Sequence, residues 1–259
     1  MHCVSTNMPS MIYTSVKVLS QKKLASDIYQ LEVARPDGTE IKPGQFFMLK
    51  AWSGELTLMR PISVFKANEA SITFMYRKVG QGTERLTHLR KGSSMQIMGA
   101  LGNGFPIEKI KGKIALVGGG IGIPPLYETA RALRSHGAKR VDAYLGYKKE
   151  LFALDDFAAV ADSVFVANEQ GKEGYRGFVT DLLHTEQYDY VLTCGPAVMM
   201  MKVLRMCREH NVSCYLSMER HMGCGIGACL VCSCKTINGM KRACKDGPVF
   251  AGEEIQTEN

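Results

Sequence analysis

Near the end of the chain, cysteines are spaced as redox-metal ligands would be. Met222-Gly223-Cys224-Gly225-Ile226-Gly227-Ala228-Cys229-Leu230-Val231-Cys232 reads C-x4-C-x2-C. Plant-type [2Fe-2S] clusters are wrapped with that spacing, a fourth thiolate arriving later in the chain. The loop must fold so that several thiolates converge and backbone N–H groups reach the sulfides. Gly225 and Gly227 suit this, because glycine takes positive φ and brings no Cβ against inorganic sulfur. Two later cysteines compete for the fourth place. Cys234 lies too close to Cys232 to project comfortably to the same cluster, whereas Cys244 can return across a hairpin turning at Asn238-Gly239. Cys244 is therefore the expected ligand and Cys234 a small core residue. The alternative is a structural zinc site, but zinc ribbons favour paired C-x2-C knuckles, and this segment has one such pair beside a glycine-rich loop.

Two further turns suit phosphates. Val117-Gly118-Gly119-Gly120-Ile121-Gly122-Ile123-Pro124-Pro125 joins an expected strand to an expected helix. The dinucleotide fingerprint G-x-G-x-x-G fails here: Ile123 stands where its third glycine would, and Gly146-Tyr147-Lys148 ends the next strand without an acid. The glycines still admit close backbone approach, and the helix after them offers free N–H groups and the positive end of its dipole. Proline suits a first helical turn. A glycine turn that merely packs tightly is the plain alternative. Thr193-Cys194-Gly195-Pro196-Ala197-Val198-Met199 comes after another strand of the same sheet, and the carboxyl ends of parallel strands are where such sheets bind ligands. Upstream, Arg60-Pro61-Ile62-Ser63 and Tyr76-Arg77 lie on strands, and Gly82-Thr83 opens a short helix. Cations beside a helix start suit a pyrophosphate; the plain reading of Arg60 is a solvated side chain.

The elements that must position these residues fall into three groups. Apolar or alternating runs at Tyr13 to Leu19, Ile28 to Ala34, Gln45 to Leu49, Pro61 to Phe65, Ser71 to Tyr76 and Ser94 to Met98 read as strands, with breaks at Pro36-Asp37-Gly38 and Pro43-Gly44. One helix interrupts them near Thr83 to Leu89. Antiparallel strands in this number suggest a small closed barrel, since closure removes exposed edges. After Gly104 strand and helix alternate: strands at Lys113 to Val117, Val141 to Leu145, Ser163 to Ala167, Tyr188 to Thr193 and Ser213 to Ser217, helices at Pro125 to His136, Leu154 to Val160 and Ala197 to His210. Leu126, Ala130 and Leu133 form one buried stripe of the first of these helices. Alternation of this kind builds a parallel sheet with helices on both faces. The expected fold class is thus β + α/β: an antiparallel barrel over residues 9–103, a parallel-sheet α/β domain over 104–213, and a small metal-held tail over 214–259.

Bulk properties agree. The 259 residues accommodate two domains and a small appendage, and 46% hydrophobic residues exclude wholesale disorder. No apolar run of about 18 residues argues for a membrane span, and Met1 to Ser10 lack the charged start and apolar core of a secretory signal. The expectation is a soluble cytoplasmic protein. The net charge of +7 is dispersed, as on an ordinary solvated surface with some excess facing anionic ligands. No clustered basic stripe marks a nucleic-acid footprint. Of nine cysteines, six lie between Cys214 and Cys244, which points to metal or redox chemistry rather than a disulfide framework. Cys3, Cys207 and Cys214 read as packing residues.

The order of these motifs resembles the ferredoxin–NAD(P) reductase-like superfamily. The tail, Ser217-Met218-Glu219-Arg220-His221-Met222-Gly223-Cys224 and later Cys244-Lys245-Asp246-Gly247-Pro248-Val249-Phe250, resembles the electron-transfer subunits of NAD-dependent (class 1B) dihydroorotate dehydrogenases. That resemblance, covering roughly residues 11 to 255, implies FAD lined by Arg60, Pro61, Ile62 and Ser63, with Arg60 on a phosphate and Ser63 against the isoalloxazine. Met75, Tyr76, Arg77, Gly82 and Thr83 would complete the flavin site. NAD would be held by Gly118, Gly120, Gly122 and Pro125 and by Cys194, Gly195 and Pro196, with Cys194 beside the nicotinamide as the candidate catalytic residue. Cys224, Cys229, Cys232 and Cys244 would bind the [2Fe-2S] cluster.

The function implied is electron transfer in de novo pyrimidine (UMP) biosynthesis: from an FMN-containing catalytic subunit, through cluster and FAD, to NAD+, in a heterotetramer of two of each subunit. Neither nucleic acid nor membrane is an expected partner. Two departures from the family pattern stand out. Arg220-His221 replaces an acid–base pair, which bears on the partner contact, and Lys148-Lys149 after the second strand could meet the 2′-phosphate of NADP. The competing readings are a reductase subunit of an NAD(P)H-dependent ferredoxin or sulfide oxidoreductase, and a zinc-stabilised nucleotide-binding module.

Overall fold

The computed structural model describes residues 13–256 apart from 53, 55, 56 and 172. Cys3 and the Met1–Ser10 start therefore lie outside the described residues. The first six strands are β1 (Thr14–Lys23), β2 (Ile28–Ala34), β3 (Phe46–Lys50), β4 (Arg60–Ala67), β5 (Ser71–Arg77) and β6 (Ser94–Leu101). They close into a barrel in the order β1-β2-β5-β4-β3-β6. Strand β5 shows why the pattern alternates. Ile72, Phe74 and Tyr76 fill the barrel interior, while Met75 on the opposite face packs into the core shared with the next domain. The short helix α1 (Gln81–Thr87) plugs one barrel opening with the fully buried Leu86.

The second domain alternates as expected. Strands β7 (Lys113–Gly119), β8 (Arg140–Tyr147) and β9 (Ser163–Asn168) are joined by α2 (Pro125–Ser135) and α3 (Leu154–Ala158). A two-residue edge strand, β10 (Tyr175–Arg176), precedes β11 (Tyr190–Cys194), α4 (Ala197–Glu209) and β12 (Ser213–Ser217). The stripe Leu126, Ala130 and Leu133 is buried on one face of the sheet, and α4 covers the other through Met200, Val203, Leu204 and Cys207. Barrel and sheet are locked together. Phe65 meets Tyr127 with ring centroids 5.0 Å apart, the Ala67 N–H donates to Glu128 Oε1 at 2.9 Å, and Lys66 pairs with Asp156.

The tail is tied to both. A hairpin of β13 (Ser233–Thr236) and β14 (Gly239–Arg242) turns at Ile237-Asn238, with Gly239 at φ +92° opposite Thr236. The last strand, β15 (Val249–Ala251), runs antiparallel beside β12 in the large sheet, whose order is β10-β9-β8-β7-β11-β12-β15. Strand β12 thus runs through the expected boundary at 213/214, and the tail returns a strand to the preceding domain. Among the described residues no helix is long and apolar enough to cross a membrane.

Candidate functional site

A cleft of about 620 Å³ opens where the barrel, the carboxyl edge of the sheet and the segment after β12 meet. Of the residues expected at the flavin, Arg60, Pro61, Ile62, Ser63, Met75, Tyr76, Arg77 and Thr83 line it. Of those expected at the nicotinamide nucleotide, Pro125 and Cys194 line it, beside Ile121 and Pro124. The third wall is Ser217 to Met222 together with Pro248. Gly82, Gly118, Gly120, Gly122, Gly195 and Pro196 are not among the lining residues; they stand behind it and shape it.

Several glycines behind the cleft make room for close neighbours. A Cβ on Gly82 would lie 2.4 Å from Arg60 Nε, so the guanidinium rests against the start of α1, with the ring of Trp52 5.4 Å away. Thr83 fixes that start, its hydroxyl accepting the N–H groups of Val79 and Gly80 at 2.9 and 3.1 Å. A Cβ on Gly122 would stand 2.5 Å from Cys194 O and from the Gly195 backbone, and one on Gly119 2.8 Å from Pro196 Cδ. The two sheet-end turns are therefore pressed backbone to backbone. Gly120, at φ +52°, faces Arg77, which also approaches Asp27 at 3.1 Å. Arg77 in this way spans the barrel and the glycine turn.

Strand register brings the chemistry abreast. Gly118 pairs with Cys194 and Cys194 with Ser217, so the ends of β7, β11 and β12 form one rim, where open α/β sheets take ligands. Cys194 is 4% exposed. Burial pushes its thiol up to about 12, the nearby Glu219 carboxylate adds to the rise, and a Ser217 hydrogen bond only partly offsets them. Cys194 is thus a neutral thiol at physiological pH. Glu219 opens into the cleft yet is flanked by enough protein that desolvation raises its carboxyl, with Arg77 pulling it down. Phe46 and Val79 carry no motif of their own, and Glu219 belongs to the tail motif, which by itself gives it no place in the cleft. Only the register of β11 with β12 signals that the chain beyond Ser217 must turn into this cleft.

The four expected cluster cysteines converge as two pairs. Cys229 N–H donates to Cys224 Sγ at 3.4 Å, and Cys244 N–H to Cys232 Sγ at 3.4 Å. Among the described residues no three His, Cys, Asp or Glu side chains gather around a point for a single metal ion. The loop aims further N–H groups at sulfur: Ile226 and Ala228 at Cys224, 3.4 and 3.3 Å, and Gly227 at Cys244, 3.0 Å. Partial burial raises the Cys224 thiol, but these donors and the Cys229 thiol overrule it and bring it to about 6. Gly225 and Gly227 do take positive φ, +74° and +82°. Two thiol pairs under converging N–H donors suit a binuclear iron–sulfur centre. Cys234, Cys207 and Cys214 are buried, and Cys234 donates to Lys241 O at 3.3 Å, as core residues would.

Cleft and cysteine loop share their walls. Phe46, Met222, Cys232 and Cys244 belong to one apolar cluster, and Phe46, Met222 and Pro248 also line the cleft. Asn103, just after β6, pins the Cys244 turn by accepting Val249 N–H at 3.2 Å and donating to Asp246 O at 3.0 Å. Lys148 and Lys149 are exposed and do not line the cleft; Lys149 borders a separate open hollow with Glu150, Asn168 and Gln170.

Comparison with known proteins agrees with this arrangement. Residues 219–256 match the family model of the iron-sulfur cluster binding domain of dihydroorotate dehydrogenase B. The chain is 46% identical to the dihydroorotate dehydrogenase B (NAD(+)) electron transfer subunit of Clostridium acetobutylicum, over 94% of this chain and 97% of that one. It is 44% identical to the counterpart from Clostridium perfringens, over 95% and 99%. Among solved structures, the NADH-dependent reduced ferredoxin-NADP oxidoreductase superposes with a TM-score of 0.84 at 29% identity, covering 93% of this chain and 89% of that one. A ferredoxin NADP+ reductase from Neisseria gonorrhoeae, solved with FAD and NADP, superposes at 0.67 with 18% identity over 81% and 94%, a likeness of fold. The chain belongs to the family of dihydroorotate dehydrogenase B (NAD(+)) electron transfer subunits.

Proposed function

We propose that the chain holds FAD in the cleft and a [2Fe-2S] cluster on Cys224, Cys229, Cys232 and Cys244, and links an FMN-containing dihydroorotate-oxidising subunit to NAD+. The observation that carries this is the shared wall: Phe46 and Met222 belong both to the cleft and to the apolar cluster that contains Cys232 and Cys244. Bound there, the cluster carries single electrons and the flavin pairs them for hydride transfer to nicotinamide, which accepts only pairs. The chain's own residues bind and orient. Arg60, held over Gly82, suits a flavin phosphate, and Ser63 suits the ring. Cys194, neutral and buried, offers the nicotinamide a small polarisable surface rather than a base. No side chain here acts on dihydroorotate.

The partner meets the face where the cluster comes nearest to solvent. Cys229 is exposed there and is flanked by the exposed Ile226, Leu230 and Val231. Apolar side chains around a redox centre suit a protein interface, since that surface is costly to leave in water. The assembly proposed is two copies of each subunit, in the cytoplasm, without nucleic acid or membrane. The test is reconstitution with the FMN subunit of the same organism. Dihydroorotate-dependent NAD+ reduction requires both chains, whereas equal NAD+ reduction by the FMN subunit alone contradicts the role. Co-purification with a ferredoxin- or sulfide-linked subunit instead would transfer the chain to the other reductase class.

A further inference from the structure

Arg242 lies outside the cysteine motif, yet it closes the cluster loop from behind. Its guanidinium grips Asp246 through Nε to Oδ2 at 2.9 Å and Nη2 to Oδ1 at 3.1 Å, and the Asp246 carboxylate also accepts the Arg242 N–H at 2.8 Å. The remaining arm, Nη1, donates to Gly227 O at 3.2 Å. That carbonyl belongs to the same planar peptide as the Ala228 N–H, which donates to Cys224 Sγ at 3.3 Å. Gly227's own N–H donates to Cys244 Sγ at 3.0 Å. The two peptides that flank Gly227 therefore serve a sulfur of each thiol pair, and a fixed cation pulls on the carbonyl of the second.

Withdrawing electron density at a peptide oxygen strengthens the hydrogen bond its N–H donates, and such chains reinforce one another inside a protein. Hydrogen bonds to ligating sulfurs and nearby net charge are what set the potential of an iron–sulfur centre. The geometry points to Arg242 as the residue that raises the cluster's reduction potential, by polarising the Gly227–Ala228 peptide toward Cys224 and by its own charge, with Asp246 as the counter-ion that orients and partly offsets it. Arg242 is a positioning residue and touches no substrate. Its role rests on the proposed [2Fe-2S] cluster.

The test is an EPR-monitored redox titration of the full-length protein, loaded with iron and flavin, comparing the parent with Arg242→Gln, Arg242→Lys and Asp246→Asn. Arg242→Gln shifts the cluster midpoint to more negative potential, Asp246→Asn shifts it to more positive potential, and the flavin midpoint moves in neither. Arg242→Lys, which keeps the charge but not the fork, shifts less than Arg242→Gln. A merely structural ion pair is broken equally by Arg242→Gln and Asp246→Asn, so shifts of these two in the same direction, or none, overturn the inference. If Arg242→Gln takes up no iron, the remaining pair decides: a positive shift in Asp246→Asn with a negative shift in Arg242→Lys supports it, and any other pattern overturns it. A parent protein without a reducible [2Fe-2S] signal sinks the cluster reading itself, a failure distinct from a loaded parent whose variants share its potential.

Discussion

Gly225 is pressed against Met48: a Cβ at Gly225 would stand 2.8 Å from Met48 Cγ and 3.2 Å from Met48 Sδ. The glycine belongs to the cysteine loop and the methionine to β3 of the barrel, so loop and barrel meet side by side with no linker between them. Gly225 also sits at φ +74°, where a side chain is strained. Gly225→Ala is expected to cost about 1–3 kcal/mol by overpacking and to lift the loop off the barrel. The expected result is less iron per chain with flavin retained, measured by metal analysis and by flavin absorbance after protein precipitation.

On the proposed assignment of the two sites, a second close fit separates nicotinamide binding from flavin binding. The Cβ of Gly122→Ala would meet backbone atoms of Cys194 and Gly195 at 2.5 Å, which have no flexible end to give way. The turns at Gly118–Pro125 and Cys194–Pro196 must then part. Steady-state NADH oxidation with ferricyanide should show KM for NADH raised about tenfold or more, the equivalent of about 1.4 kcal/mol or more of lost binding, with the flavin still bound.

Cys194 gives a pH dependence of defined sign. Its folded-state thiol is pushed up to about 12 by burial, then by Glu219, whereas an unfolded cysteine titrates near ~8.5. The fold favours the neutral thiol, so this contribution is fully present below about pH 8.5 and is lost as pH rises toward the folded value. Comparing the parent with Cys194→Ala in denaturant unfolding across that window should reveal a steeper loss in the parent, by up to about 1.4 kcal/mol per pH unit. At pH 8 the same burial predicts negligible alkylation of Cys194 in the native protein, read by peptide mass spectrometry.

The exposed apolar collar predicts a separation of functions. Leu230→Asp or Val231→Asp places a charge beside Cys229 on the surface and leaves the cleft untouched. NADH reduction of the bound flavin should persist at the parent rate, while co-elution with the FMN subunit on size-exclusion chromatography is lost. Retained co-elution would move the partner interface elsewhere.

Much of the fold is readable from residue order because local pattern and tertiary role coincide. Strand β12 occupies Ser213–Ser217 as expected, and the stripe Leu126, Ala130 and Leu133 is buried. The C-x4-C-x2-C loop is legible because its glycines and cysteines answer to one local constraint. Features decided by long-range pairing are hidden. Strand β10 has only two residues, too few to show a period. Val249–Ala251 is visible in the sequence only as part of a motif, since three residues become a strand by lying beside β12. Phe46 reads as an ordinary barrel residue until closure of β3 on β4 turns it to the cleft. Glu219 and Arg242 are surface-type residues placed by distant parts of the chain, Glu219 beside Arg77 and Cys194 in the cleft and Arg242 through a carbonyl fifteen residues away.

Flavin and cluster, on this reading, occupy adjoining sites and exchange electrons through their shared wall. Anaerobic titration of the purified protein with NADH, followed by visible absorption and EPR, puts that to the sharpest test. Flavin bands over a broad iron–sulfur envelope are expected, both bleached by NADH, with a [2Fe-2S] signal appearing as they bleach. A colourless, zinc-containing protein unchanged by NADH, or a flavin that is reduced while the cluster stays oxidised, would contradict it.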